Sequence, residues 1–192
     1  LSLGGYASTN MARPTFDTPF YFFTSVTHNR LKVFRTEKYK ELLCDALNEA
    51  RRSSGMLFFA YVIMPEHFHI VTDGARTPSD SLRYLNGITA RRIIDHLKTH
   101  GPEESLNKLR LQTKDADYTY SLWEHHSDKF LITSESMLMQ KVRYIHNNPV
   151  EAGLSETPES YRCSSARYWL RKGLLDPEPI EVDIRKIDWK QR

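Results

Sequence analysis

Two histidines flank a phenylalanine in His67-Phe68-His69, and Tyr144 stands four residues before Asn148. On a strand, side chains at i and i+2 leave one face and the residue between them leaves the other. His67 and His69 would then stand side by side, with Phe68 anchoring the strand in the core. Two adjacent imidazoles suit a divalent metal. Taken alone, His-X-His is short and common, and its plainer reading is two surface or half-buried histidines; a third ligand would shift the balance. The tyrosine is placed by a helix. Leu138, Met139, Val142 and Ile145 form one apolar stripe at helical spacing. At about 100° per residue, Tyr144 lies about 140° from the centre of Leu138, Val142 and Ile145. It shares the polar side with Lys141 and Asn148, one turn from the latter, so a phenol nucleophile and an amide oxygen can point at one spot. The plainer readings are an exposed tyrosine and an asparagine that closes a helix before Pro149. His146 falls near the edge of the apolar stripe and is expected to be packed or hydrogen-bonded rather than catalytic.

The elements that must carry these residues follow from pattern. Phe20 to Thr27 is aromatic and β-branched, a first strand. Tyr39, Leu42, Leu43, Ala46, Leu47 and Ala50 recur at helical spacing and predict an amphipathic helix over residues 37–52, stopped by Ser53-Ser54-Gly55. Met56 to Met64 is a nearly continuous apolar run, a buried strand. Pro65-Glu66 turns the chain into a short strand from His67 to Val71. A second helix starts near Ser79, carries Leu82, Leu85, Ile93 and Leu97 on one side, and ends at Gly101-Pro102. Residues 103–117 are polar and predicted irregular. Residues 118–130 contain a fourth strand, with a hairpin around Ser127-Asp128 as a variant. Thr133 or Ser134 caps a third helix, which Pro149 is expected to end at Asn148. The order β-α-β-β-α-β is that of the ferredoxin-like (RRM-like) fold: α+β, an antiparallel sheet with helices on one face. The third helix is then an addition free to cover the other face.

The chain has 192 residues and is 40% hydrophobic, enough for one domain with a proper core. No apolar run approaches the roughly 18 residues of a membrane span, and residues 1–10 lack the basic start and apolar core of a signal peptide. Met11 is a candidate start. Cys44 and Cys163 have no metal-ligand spacing, so structural disulfides are not expected and a cytoplasmic setting is. A net charge of +3 neither requires nor excludes nucleic acid. Basic pairs such as Arg51-Arg52, Arg91-Arg92 and Arg171-Lys172 become DNA contacts only around a site found on other grounds.

Over residues 15–165 the sequence resembles the HUH single-tyrosine transposases of the IS200/IS605 type. The resemblance rests on Pro65-x-His67-Phe68-His69, on Trp123 followed by Asp128, on Tyr144-Ile145-His146-Asn147-Asn148-Pro149-Val150, and on Ala152-Gly153. It extends weakly to Tyr161 and Ser164-Ser165. Asparagine on the tyrosine helix, rather than glutamine, and the length of chain beyond Pro149 are similar to the branch associated with REP sequences. Glu151 departs from the basic residue common there, and Cys163 from the aromatic that often precedes the two serines; both bear on DNA specificity rather than chemistry.

The resemblance implies a metal-dependent single-stranded DNA endonuclease and strand transferase. In it, Tyr144 forms a 5′-phosphotyrosine, and His67, His69 and Asn148 hold Mg²⁺ or Mn²⁺. Its substrate is implied to be single-stranded DNA presented beside a hairpin, REP-like in sequence. Lys141 and Arg143, flanking Tyr144, and Arg91 and Arg92 on the second helix are expected phosphate contacts. Residues 1–14 read as an extension, 15–165 as the catalytic domain, and 166–192 as a tail that either embraces DNA or covers the sheet. Relatives include monomers and homodimers. Two other classes share these residues: a replication-initiator-type nicking enzyme, and a DNA-binding protein of the same fold without turnover.

Overall fold

The computed structural model describes residues 12–111, 119–125, 127–170 and 178–189. Four strands form one antiparallel sheet in the order β2-β3-β1-β4: β1 Phe20–Val26, β2 Phe58–Ile63, β3 His67–Thr72 and β4 Asp128–Ile132. Helices α1 (Glu37–Ser54) and α2 (Pro78–His100) pack together on one face. Helix α4 (Glu135–Glu151) crosses the other. Alternation along the strands assigns the faces. Ser25 reaches Asn86 of α2, and Phe68 packs edge-on against Trp123, whose indole donates to Thr89 of α2. Phe22, Thr24 and His69 leave the opposite face, where α4 lies. The ferredoxin-like α+β architecture with an added helix is the one expected from element order.

The two sheet edges are treated differently. At β2, Ile63 N–H donates to the Cys163 carbonyl, Ser165 N–H to Tyr61 and Asp183 N–H to Phe58. Segments 163–165 and 183 therefore cover an edge that would otherwise offer unpaired backbone groups. Asp183 fixes this cover. It accepts from both Nε and Nη2 of Arg51, at 2.9 and 2.7 Å, and from Phe58 N–H at 3.0 Å. Burial pushes its carboxyl up, but Arg51, Lys186 and the Phe58 amide outweigh burial and hold it below the ordinary range. Of the tail, the described residues 178–189 thus lie along the sheet edge and α1; Arg171-Lys172 fall outside the described residues. The β4 edge is mostly exposed.

Three expected boundaries differ. The polar stretch after Pro102 forms a short helix, α3 (Glu103–Lys108). Its acids sit at the positive end of the helix dipole, and Glu104 pairs with Lys108 one turn on. The fourth strand starts at Asp128 instead of turning there, and residues 120 and 123 make only single bridges, to Arg110 and Thr27. Helix α4 does not stop at Asn148 but runs through Pro149 to Glu151. So near the C-terminus, the proline removes one helical N–H while the helix goes on beyond it. Ala152 N–H reaches Asn148 O at 3.0 Å, and Leu154 N–H reaches Pro149 O at 2.8 Å.

Helix α4 is held to the sheet by Leu138, Val142 and Ile145. It is also held by His146, buried and 2.9 Å from Ser165 Oγ through its Nε2. Burial lowers the His146 pKa to about 4. A folded-state pKa below the unfolded value near 6.5 gives stability that is present above pH 6.5 and lost as pH falls toward 4. Full titration would remove on the order of 3 kcal/mol. Urea unfolding of the wild type should therefore lose more stability between pH 6.5 and 4 than His146→Gln does. Parallel pH curves for the two proteins would contradict this.

Candidate active site

Strand β3 carries both imidazoles and β1 supplies the neighbour that orients one of them. Thr24 is the cross-strand partner of His69, and Val26 that of His67. Thr24 Oγ1 lies 2.9 Å from His69 Nδ1. His67 Nδ1 lies 3.3 Å from Glu66 Oε1 in the turn just before it. The two rings are 4.7 Å apart. When each Nδ1–H donates to its partner, each Nε2 keeps a lone pair directed into the cleft.

His69 is only 4% exposed, and its Nε2 is buried without a hydrogen-bond partner. An unpartnered buried nitrogen costs about 1–3 kcal/mol, so this atom is suited to a ligand from outside the chain. Burial, aided by the neighbouring His67 and by Lys141 and opposed by Asn148, lowers the His69 pKa to about 3. Burial also lowers His67, against the pull of Glu66. Both rings are thereby kept neutral at physiological pH, as metal ligands must be.

Helix α4 brings Tyr144 above this pair. Its ring centre is 5.3 Å from that of His69 and 6.0 Å, edge-on, from Phe22, yet the side chain remains 45% exposed. Asn148, one turn on, donates from Nδ2 to the Tyr144 carbonyl at 2.8 Å. That leaves its Oδ1 for the histidine side, and the amide acts on the protonation of both rings, although no conventional hydrogen bond joins it to His69 Nε2. Among the described residues no three His, Cys, Asp or Glu side chains converge. The imidazole nitrogens of His67 and His69 and the amide oxygen of Asn148 are donor types that suit a divalent ion.

The cleft around them measures about 660 Å³. Lys141 sits inside it, its ammonium 4.3 Å from the Phe130 ring centre, 4.7 Å from Phe22 and 5.8 Å from Tyr144. Three aromatic faces thus hold a cation beside the phenol. The other expected basic residues are placed elsewhere. Arg143 is exposed on α4 outside the cleft lining. Arg91 and Arg92 lie on α2, across the sheet, with Arg92 paired to Glu49 at 2.7 Å. In a chemical sense His146 is absent from the cleft, as its place on the helix predicted.

Sequence reading missed Thr24, Glu66 and Arg30. Thr24 was marked by alternation, as the polar member of the Phe20, Phe22, Thr24 face. Glu66 was marked only by adjacency to His67. Arg30 follows β1 in a turn where Asn29 and Arg30 take φ of 53° and 51°, a left-handed conformation unfavourable for non-glycine residues. That turn sets Arg30 on the cleft wall, where its charge acts on His67. Nothing in the local sequence signals it.

Thr24→Val keeps the shape of the side chain but removes the His69 partner. Loss of such an outer partner is expected to weaken Mn²⁺ binding roughly 10–100-fold, and His67→Ala or His69→Ala should abolish it, as read by isothermal titration. Unchanged Mn²⁺ affinity in Thr24→Val would detach Thr24 from the site.

Comparison with known proteins supplies the wider context. The family described as "Transposase IS200 like" matches residues 19–148, from the start of β1 to Asn148. A REP-associated tyrosine transposase bound to a REP hairpin superposes with a TM-score of 0.59 at 18% identity, over 95% of this chain and 93% of that one; this is a likeness of fold. A Deinococcus radiodurans R1 protein, provisionally assigned as a transposase, gives a TM-score of 0.47 at 20% identity, over 77% of this chain and 96% of that one. No curated protein sequence matches.

Proposed function

The chain belongs to the family of IS200-like transposases, and from that premise we propose that it cuts and rejoins single-stranded DNA through a 5′-phosphotyrosine at Tyr144. The reading includes Mg²⁺ or Mn²⁺ held by His67, His69 and Asn148. The observation that carries it is the meeting of an exposed phenol with a neutral, buried imidazole whose Nε2 has no partner.

The chemistry follows from where the groups lie. The Tyr144 oxygen attacks the scissile phosphorus. The new O–P bond forms as the bond to the 3′ oxygen breaks, leaving protein on the 5′ side and a free 3′-hydroxyl. The phenol gives up its proton to solvent, and the departing 3′ oxygen takes one up. A divalent ion at this site supplies Lewis acidity and orients the phosphate. His67 and His69 present lone pairs, held in direction by Glu66 and Thr24. Lys141 and Arg30 line the same cleft and offset phosphate charge. Because the phosphotyrosine keeps the diester linkage, an incoming 3′-hydroxyl reverses the step without a further energy source.

One chain provides every group named, since α4 covers its own sheet. An open cleft with the phenol at its mouth suits unpaired backbone, which bends where a duplex does not. A hairpin-bearing, REP-like substrate is the expected natural form, supported by the fold shared with a transposase bound to such a hairpin. Two free buried cysteines fit the cytoplasmic setting we propose. No described helix is long and apolar enough to cross a membrane.

Tyr144→Phe should fold and bind DNA but form no SDS-stable adduct with labelled single strands in Mn²⁺. The same sequence as a perfect duplex should be cut negligibly. Opening four base-pair steps at about 1.4 kcal/mol each costs roughly 10⁴-fold in rate. Equal cutting of both forms, or adduct from Tyr144→Phe, would contradict the reading.

A further inference from the structure

Among the described residues two buried imidazole nitrogens have no hydrogen-bond partner: Nε2 of His69 in the cleft and Nε2 of His96 on α2. The second belongs to a pair built much like the first. His96 and His100 stand four residues apart in the last turns of α2, on one face of the helix. Their ring centres are 4.9 Å apart, against 4.7 Å for His67 and His69. A tetrahedral ion that holds two imidazole nitrogens at about 2.0–2.1 Å sets the ring centres roughly 5 Å apart. Histidines at i and i+4 on a helix are a spacing that zinc sites use.

A threonine orients one ring of each pair, Thr24 for His69 and Thr99 for His100. Thr99 Oγ1 donates to the Asp95 carbonyl at 2.9 Å, so it is free to accept from His100 Nδ1–H at 2.6 Å. His100 Nε2 then keeps its lone pair. Tyr39 of α1 stands perpendicular to the His96 ring, 5.8 Å away, and steadies it. Desolvation first, then the charges of Lys38 and His100, hold the His96 pKa below its ordinary value, which favours the neutral, ligating form. The C-terminal end of the α2 dipole attracts a cation. Lys38 and Lys98 oppose one, Lys98 being partly offset by Asp95 at 3.9 Å. His100 is exposed, and exposed side chains change rotamer within nanoseconds, so it is the arm that opens to admit an ion to His96.

We propose that His96 and His100 form a second metal site, for a late first-row divalent ion such as Zn²⁺, with water completing its shell. Among the described residues no third His, Cys, Asp or Glu converges on the pair. Two nitrogen donors with no oxygen donor from the chain select such an ion over Mg²⁺. The cleft pair differs in having the Asn148 amide beside it. A bound ion ties the last two turns of α2 together, next to Tyr39 of α1. The site stands apart from the cleavage chemistry and does not depend on it, since α2 and α4 lie on opposite faces of the sheet.

Isothermal titration with Zn²⁺ in excess Mg²⁺ tests this in a chain carrying His67→Ala and His69→Ala, which lacks the cleft pair. That chain should bind one Zn²⁺, and its Tm should rise on binding. Adding His96→Ala or His100→Ala should each weaken Zn²⁺ binding roughly tenfold or more and abolish the rise in Tm. His100→Ala removes an exposed side chain and should leave the metal-free Tm unchanged, so its loss of Zn²⁺ is not a loss of fold. The ring-proton NMR signals of His96 and His100 should shift together as Zn²⁺ is added. Zn²⁺ affinity within twofold of the parent in either variant would overturn the shared site, as would a shift confined to one ring.

Discussion

The register between β1 and β3 fixes almost everything else about the site. It sets Thr24 opposite His69 and Val26 opposite His67, so the partner that orients an imidazole comes from a strand 45 residues earlier in the chain. Side chains alternate along both strands, and a slip of one residue would move every one of them to the other face. Phe68 would then enter the cleft and the histidines would meet α2. What forbids this is the core: Phe23 and Phe68 are fully buried, and Phe68 is locked against Trp123. The chemistry of the cleft is thus held in place by apolar packing on the reverse of the same strands.

Burial does two things at once in this arrangement. It strips His69 of its proton at any physiological pH and leaves its Nε2 without a partner. Both effects come from the lid formed by Phe22, Tyr144 and α4. The lid itself is incomplete, since Tyr144 remains 45% exposed. Lys141 offsets this by spanning Phe22, Phe130 and Tyr144, so the open side of the cleft carries positive charge. The proline after Asn148 does not end α4, which runs on to Glu151, and Tyr144 and Asn148 stand one turn apart on it.

Much of this was legible in the sequence because it depends on local periodicity. The His67, Phe68, His69 alternation and the polar placement of Tyr144 and Asn148 need only the strand and helix repeats. The demotion of His146 to a packing role follows from the same wheel. Thr24 and Arg30 were hidden because their importance arises from strand pairing and from a left-handed turn, neither of which has a local signature. The helix boundary failed at Pro149 because one missing N–H close to a helix end was outweighed by the bonds beyond it. Arg91 and Arg92 lie across the sheet from the cleft, which the sequence could not show because a basic pair does not reveal which side of a sheet its helix will occupy. The described residues 178–189 of the tail are tied to α1 through Asp183 and Arg51, a contact spanning 132 residues that has no local signature.

Peptide mapping of the covalent product tests the central claim most directly. After incubation with a single-stranded hairpin substrate and Mn²⁺, protease and nuclease digestion followed by mass spectrometry should find one peptide, containing Tyr144, esterified to a 5′-phosphate. Modification of another residue, or DNA joined through its 3′ end, would contradict the account.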